Sequence, residues 1–152
     1  MTQSPNDPTP RSPNPRLKIL FVCVGNACRS PMAEGWAKYH GKGNVVAYSA
    51  GTFPYGSIIE DAYTVMKEKG ISLEGQRSKG LRDLAVAQMD IVVRMGHEVR
   101  CTLPAGFNGR VVDWDIPDPF GHGVDIFRDV RDLIEEEVLS LLADVLSSSD
   151  SA

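Results

Sequence analysis

Apolar residues along this chain fall into short continuous runs and longer ones with helical spacing. Leu17-Lys18-Ile19-Leu20-Phe21-Val22 is apolar at nearly every position, which predicts a strand covered on both faces, as in a parallel sheet. Asn44 to Ser49, ended by Ala50-Gly51, predicts a second strand, Asp90 to Met95 a third and Gly109 to Trp114 a fourth. Helical patterns lie between them. A first helix runs to about His40, with Ser30 as N-cap and Pro31 at the first helical position, where its missing N–H is no loss. Ile59, Ala62, Val65 and Met66 recur at helical spacing within about 58–69, and Gly70 sits where a left-handed C-terminal residue belongs. Leu81 to Ala87 predicts a short helix. Phe127, Val130, Ile134, Val138, Leu141 and Val145 form one stripe of a long final helix. Strands alternating with helices imply right-handed β-α-β units. The expected fold is therefore α/β, a three-layer sandwich whose four-stranded parallel sheet carries helices on both faces. Ligands of such sheets bind at the carboxyl ends of the strands.

Composition adds boundaries. Prolines at 5, 8, 10, 13 and 15 among Ser, Thr, Asn and Asp cannot bury enough apolar surface to offset ordering entropy. Residues 1–15 are expected to be a disordered tail, either dispensable or a Pro-rich docking peptide. Residues 147–152 are expected to be a second, polar tail, leaving one domain over 16–146. A net charge of −4 argues against a nucleic-acid partner. No apolar run approaches the roughly 20 residues of a membrane span, and no signal-peptide core opens the chain. The expectation is a cytoplasmic protein without a membrane partner. Three cysteines give no paired framework and suit a reducing compartment.

The chemistry concentrates in Cys23-Val24-Gly25-Asn26-Ala27-Cys28-Arg29-Ser30-Pro31, a loop joining the first strand to a helix start. Backbone N–H groups there lack intrahelical acceptors, and the helix dipole adds positive charge, so the loop suits an anion. The thiolate is the nucleophilic form of cysteine, and both a helix N-terminus and a nearby arginine favour it. Arg29 supplies a planar fork matching two phosphate oxygens. Gly25 and Asn26 tolerate the backbone shapes that turn successive N–H groups inward, so Val24, Gly25, Asn26, Ala27 and Cys28 form a ring of amides around one oxyanion. The Ser30 hydroxyl is placed to donate to the sulfur. No second cysteine pair or histidine stands at zinc-ligand spacing, and no nucleotide-triphosphate loop motif is present. Neither metal nor cofactor is expected. A thiolate attacking a phosphate ester also needs an acid for the leaving oxygen. Asp118, in the proline-stiffened loop Trp114-Asp115-Ile116-Pro117-Asp118-Pro119-Phe120-Gly121, is the best candidate, with Asp113 and Asp115 as weaker ones.

These segments, with Ser49-Ala50-Gly51-Thr52, Gly70-Ile71 and Asp118-Pro119-Phe120, resemble the low-molecular-weight protein tyrosine phosphatases over roughly residues 17–146. The resemblance implies Cys23 as nucleophile, Arg29 as phosphate clamp, Asp118 as general acid, Asn26 as loop shaper, Ser30 as thiolate donor and Ser49 as loop support from the second strand. It also puts Phe53 and Tyr55 on the aromatic wall of the substrate cleft, and Phe120 where some members carry tandem tyrosines. Gln76 replaces a histidine found in many members before Arg77-Ser78, which leaves open how the loop is supported there.

Ala33 to Lys38 and Phe127 to Asp132 are similar to the thioredoxin-coupled arsenate reductases, which share the fold and loop. Those enzymes need two further cysteines for a disulfide relay. Here Met95 occupies the first position and only Cys101 lies near the second.

The leading expectation is a phosphomonoester hydrolase acting on phosphotyrosine protein or small aryl phosphates, with phosphate, sulfate and arsenate as oxyanion ligands. Arsenate reduction through an external thiol or thioredoxin is the alternative, and a non-catalytic oxyanion binder is the third reading. Cys28 either fills space beneath the loop or pairs with Cys23 on oxidation. His40 and His97 read as surface groups, and His122 as a surface group or substrate contact.

Overall fold

The structure, a computed structural model, describes residues 16–151, so the expectation for the Pro-rich residues 1–15 lies outside it. Four strands, β1 (Leu17–Cys23), β2 (Val45–Gly51), β3 (Ile91–Met95) and β4 (Arg110–Trp114), form one parallel sheet in the order β2-β1-β3-β4. The α-helices are α1 (Arg29–Gly41), α2 (Glu60–Lys67) and α3 (Val124–Ser151).

β1 is continuous in its hydrophobicity because both its faces are covered. Ile19, Phe21 and Cys23 pack with Met32 and Trp36 of α1, Val65 and Met66 of α2, and Phe127, Val130 and Ile134 of α3. Leu20 and Val22 pack on the other face with Val92, Val99 and Cys101. The expected layers are present with an asymmetry. All three α-helices contribute to the first cluster, whereas the opposite face is covered by connectors and two single-turn 3-10 helices, Leu81–Asp83 and Val86–Gln88. The helix expected over Leu81–Ala87 breaks into these turns because Leu81, Leu84 and Val86 do not repeat at helical spacing beyond one turn.

Two helix boundaries also differ from expectation. α1 begins at Arg29, its N-cap is Cys28, and no side chain caps it. Ser30 lies inside the first turn because its hydroxyl is bonded within the preceding loop. α3 continues to Ser151, past the expected boundary at 146. The last apolar residues to pack on the core are Val145 and Leu146. Beyond them the helix continues because each further residue adds a backbone bond to an existing helix.

Gly70 at φ +78 closes the turn after α2, and Ile71 N–H donates to Met66 O at 3.0 Å. Glu68 ties this end of α2 to α3. Its carboxyl is held at about 2 by hydrogen bonds from Arg128 and then Arg131, despite the opposing effect of burial. Among the described residues no helix is long and apolar enough to cross a membrane.

Candidate active site

Cys23 ends β1 opposite Gly51 of β2, and the loop 24–28 curls over the end of both strands. A Cβ on Gly51 would lie 2.5 Å from Val24 O and 2.8 Å from Asn26 N, so only glycine admits the loop there. The loop carbonyls are bonded outward: Cys23 O accepts from Thr52 N–H, Val24 O from Phe53 N–H, Gly25 O from Tyr55 N–H and the Ser78 hydroxyl, and Ala27 O from Ile59 N–H. With its carbonyls so engaged, the loop has its N–H groups left to line a concave anion nest.

Asn26 holds that shape. It has φ +48, the left-handed region that asparagine tolerates, and its side chain is fully buried. Its Oδ1 accepts from Lys79 N–H at 2.8 Å, while Nδ2 donates to Ser30 Oγ at 2.8 Å and Ser49 Oγ at 2.9 Å. Proton accounting then orients the whole network. Ser49 donates its one hydroxyl proton to Glu34 Oε1 at 2.6 Å, so towards Asn26 it is an acceptor. Ser30 likewise accepts from Asn26, leaving its own proton for Cys23 Sγ at 2.9 Å. The serine thus donates to the sulfur. Lys38 neutralises the far oxygen of the buried Glu34 carboxylate at 2.7 Å. Gln76 donates to Pro31 O at the start of α1, so Lys79 N–H serves Asn26 Oδ1 and Gln76 braces the helix instead.

Replacing Asn26 by alanine removes three hydrogen bonds, strands their buried partners and puts a poorly suited residue at positive φ. The expected cost is about 2–4 kcal/mol in urea unfolding, accompanied by a fall of about tenfold or more in turnover because Ser30 loses its fixed orientation.

Arg29 leaves the same loop from the first turn of α1 and is 2% exposed. Nη1 donates to Met95 O at 2.7 Å and Ile116 O at 2.9 Å, and Nη2 lies 2.7 Å from Glu98 Oε2 and 4.0 Å from Asp118 Oδ2. Burial alone would raise the Glu98 carboxyl, but a bond to its own backbone N–H and the Arg29 guanidinium outweigh this and hold it below the usual carboxylate range.

Asp118 accepts from Phe120 N–H at 3.1 Å and lines, with Cys23 and Arg29, a cleft of about 200 Å³. Val24, Gly25, Ala27, Cys28 and Ile59 form its base and sides, and Phe53, Tyr55 and Phe120 stand largely exposed around it. Each expected cleft residue therefore lies at the cleft. Ser30, Asn26 and Ser49 sit behind it as support. Asp113 is bound by Arg94 at 2.7 Å and 2.9 Å, and Asp115 lies 3.2 Å from His97; these two aspartates, like His122, lie outside the cleft lining.

The other thiols differ from Cys23 in setting. Burial, with added repulsion from Asp118 and Cys23, pushes the Cys28 thiol up to about 12, so Cys28 stays protonated. Cys101 is buried in the core cluster on the opposite sheet face, and burial raises its thiol as well. The sheet separates it from Cys23. Met95 is fully buried, and its carbonyl serves Arg29. Among the described residues no three His, Cys, Asp or Glu side chains gather closely enough to hold a metal ion.

Nothing in the local pattern marks Glu98 as part of this site. A faint signal exists for Glu34, which lies four residues after Ser30 and four before Lys38, and so shares a helix face with both.

Comparison with known proteins follows this geometry. Residues 18–150 match the family model for low molecular weight phosphotyrosine protein phosphatase. A glutaredoxin arsenate reductase from Synechocystis sp. is 34% identical over 131 residues, covering 84% of this chain and 98% of that protein. A protein-arginine-phosphatase from Bacillus subtilis is 35% identical over 138 residues, covering 79% and 91%. The solved structure of an arsenate reductase in the phosphate binding state aligns with a TM-score of 0.76 at 34% identity, covering 84% of this chain and 98% of that one.

Proposed function

The chain belongs to the low molecular weight phosphotyrosine protein phosphatase family, and from that membership we propose that it hydrolyses phosphomonoesters through a cysteinyl-phosphate intermediate. The observation that carries this reading is the meeting of Cys23, Arg29 and Asp118 in one cleft. In the first step the Cys23 thiolate attacks phosphorus, the ester P–O bond breaks, and Asp118 gives its proton to the leaving oxygen. In the second, Asp118 takes a proton from water, whose oxygen attacks phosphorus as the S–P bond breaks and phosphate leaves. Arg29 and the N–H groups of residues 24–29 stabilise the equatorial oxygens in both steps. The ring of Phe53, Tyr55 and Phe120 suits an aryl ester, so the substrate class is phosphotyrosine protein or a small aryl phosphate. A relative that binds phosphate supports phosphate, sulfate and arsenate as ligands of the loop. A cytoplasmic location belongs to the same reading, because a nucleophilic thiol needs reducing surroundings.

Arsenate reduction is the second reading, favoured by relatives named arsenate reductases. It needs a thiol to resolve the arsenylated cysteine; Cys101 is buried on the far sheet face and burial raises the Cys28 thiol, so this reading takes the thiol from an external donor. Purified protein assayed with p-nitrophenyl phosphate, and separately with arsenate plus either glutathione and glutaredoxin or thioredoxin, distinguishes the two. Hydrolysis faster than arsenite production is expected. The reverse order transfers the assignment to reduction, and phosphate binding without turnover of either substrate reduces the site to an oxyanion binder.

A further inference from the structure

A guanidinium has five N–H donors and no acceptor. Arg29 gives both Nη1 protons to the carbonyls of Met95 and Ile116, and one Nη2 proton faces Glu98 Oε2 at 2.7 Å. That leaves Nε–H and the second Nη2 proton as a two-donor set for an incoming oxyanion. Glu98 is 51% exposed and is absent from the cleft lining, so it reaches the guanidinium from outside the cavity and does not occupy the place of the phosphate.

The backbone is shaped around this contact. Gly96, at φ +138, lies under it, and a Cβ there would stand 2.5 Å from Arg29 Nη1 and 2.6 Å from Glu98 Oε1. Glycine at 96 keeps clear the space in which the carboxylate meets the guanidinium, and Val99 N–H donating to Gly96 O at 3.1 Å closes the turn that carries Glu98. Asp118 Oδ2 stays 4.0 Å from Nη2, beyond hydrogen-bond reach, and so remains free to exchange a proton with substrate.

We propose that Glu98 is a positioning residue for Arg29, completing with two backbone carbonyls a three-point hold that aims the remaining donors at the oxyanion. The role rests on the oxyanion-site reading above and extends it to a residue beyond the cleft wall.

Glu98→Gln and Glu98→Ala carry the same charge change and differ in whether an acceptor remains for Nη2, so comparing them isolates orientation from charge. The measurements are kcat and KM for p-nitrophenyl phosphate, and the dissociation constant for inorganic phosphate by calorimetry. Thermal unfolding serves as a fold check, since a half-exposed side chain is expected to leave the midpoint close to wild type. Glu98→Ala is expected to show kcat about tenfold below Glu98→Gln and phosphate binding weaker by a similar factor. If the two variants are equally impaired, Glu98 is only a counter-charge, and if both behave like wild type it has no part in the site; either result overturns the proposal. Should wild type bind phosphate without hydrolysing it, the hydrolase reading fails while the calorimetric comparison still tests Glu98. If wild type does not bind phosphate, both fall.

Discussion

Cys23→Ser is expected to hydrolyse p-nitrophenyl phosphate at least about 10⁴-fold more slowly than wild type, while folding normally and still binding inorganic phosphate. The magnitude follows from what the sulfur does: loss of an attacking nucleophile removes a covalent pathway outright, whereas the oxyanion cradle that remains supplies only residual acceleration. Serine cannot substitute, because its hydroxyl would need a base to take its proton and the hydrogen-bond partner of residue 23, Ser30, is a donor. Ser30 gives its proton toward residue 23, because Asn26 Nδ2 already donates to the Ser30 oxygen. The change is nearly isosteric at a buried position that anchors the loop, so the amides and Arg29 keep their places and phosphate affinity persists. A variant retaining more than about 1% of wild-type kcat would rule out thiolate attack as the principal route.

The second large effect is expected at Asp118. Asp118→Asn is expected to lower kcat about 10²- to 10³-fold with little change in KM, because its carboxylate stands 4.0 Å from Arg29 and contributes little to holding the ground-state phosphate. The loss depends on the leaving group. A p-nitrophenolate departs with less help from a proton than a phenolate, so the deficit is expected to be larger with phenyl phosphate than with p-nitrophenyl phosphate. Because the second step is common to both esters, the comparison is read in kcat/KM, which reports transfer to Cys23; equal deficits there would mean that Asp118 is not protonating the leaving oxygen. The rival aspartates offer a control: Asp113 and Asp115 lie outside the cleft lining, paired with Arg94 and His97.

The parts of the site legible in the sequence share a physical cause. Cys23 through Ser30 is one short loop, so thiol, amides, guanidinium and hydroxyl stand close together along the chain and read as one motif. Asp118 is legible because a loop after the fourth strand of a parallel sheet must open on the same edge as the loop after the first. Ser30 offers two readings, donor to the sulfur and helix cap, and the structure keeps the first. Its residue type marks a helix cap, but Cys23 and Asn26 offered its hydroxyl partners in the folded loop, and the cap passed to Cys28. Leu81–Ala87 was misleading in a similar way, since its apolar residues suffice to cover a sheet face without supporting a continuous helix.

The sequence by itself determined the parallel sheet, the strand-to-helix loop and the candidate nucleophile, because each is written in contiguous residues whose local preferences agree. Only the tertiary structure decided what holds the loop and the arginine. Asn26 meets Ser49 and Lys79 at separations of 23 and 53 residues, and Arg29 meets the carbonyls of Met95 and Ile116 at separations of 66 and 87. It also gathered the three α-helices into one core cluster and set Cys101 in the cluster across the sheet from Cys23. Which acceptor meets a buried donor depends on how the elements pack, and backbone carbonyls leave no trace in side-chain identity.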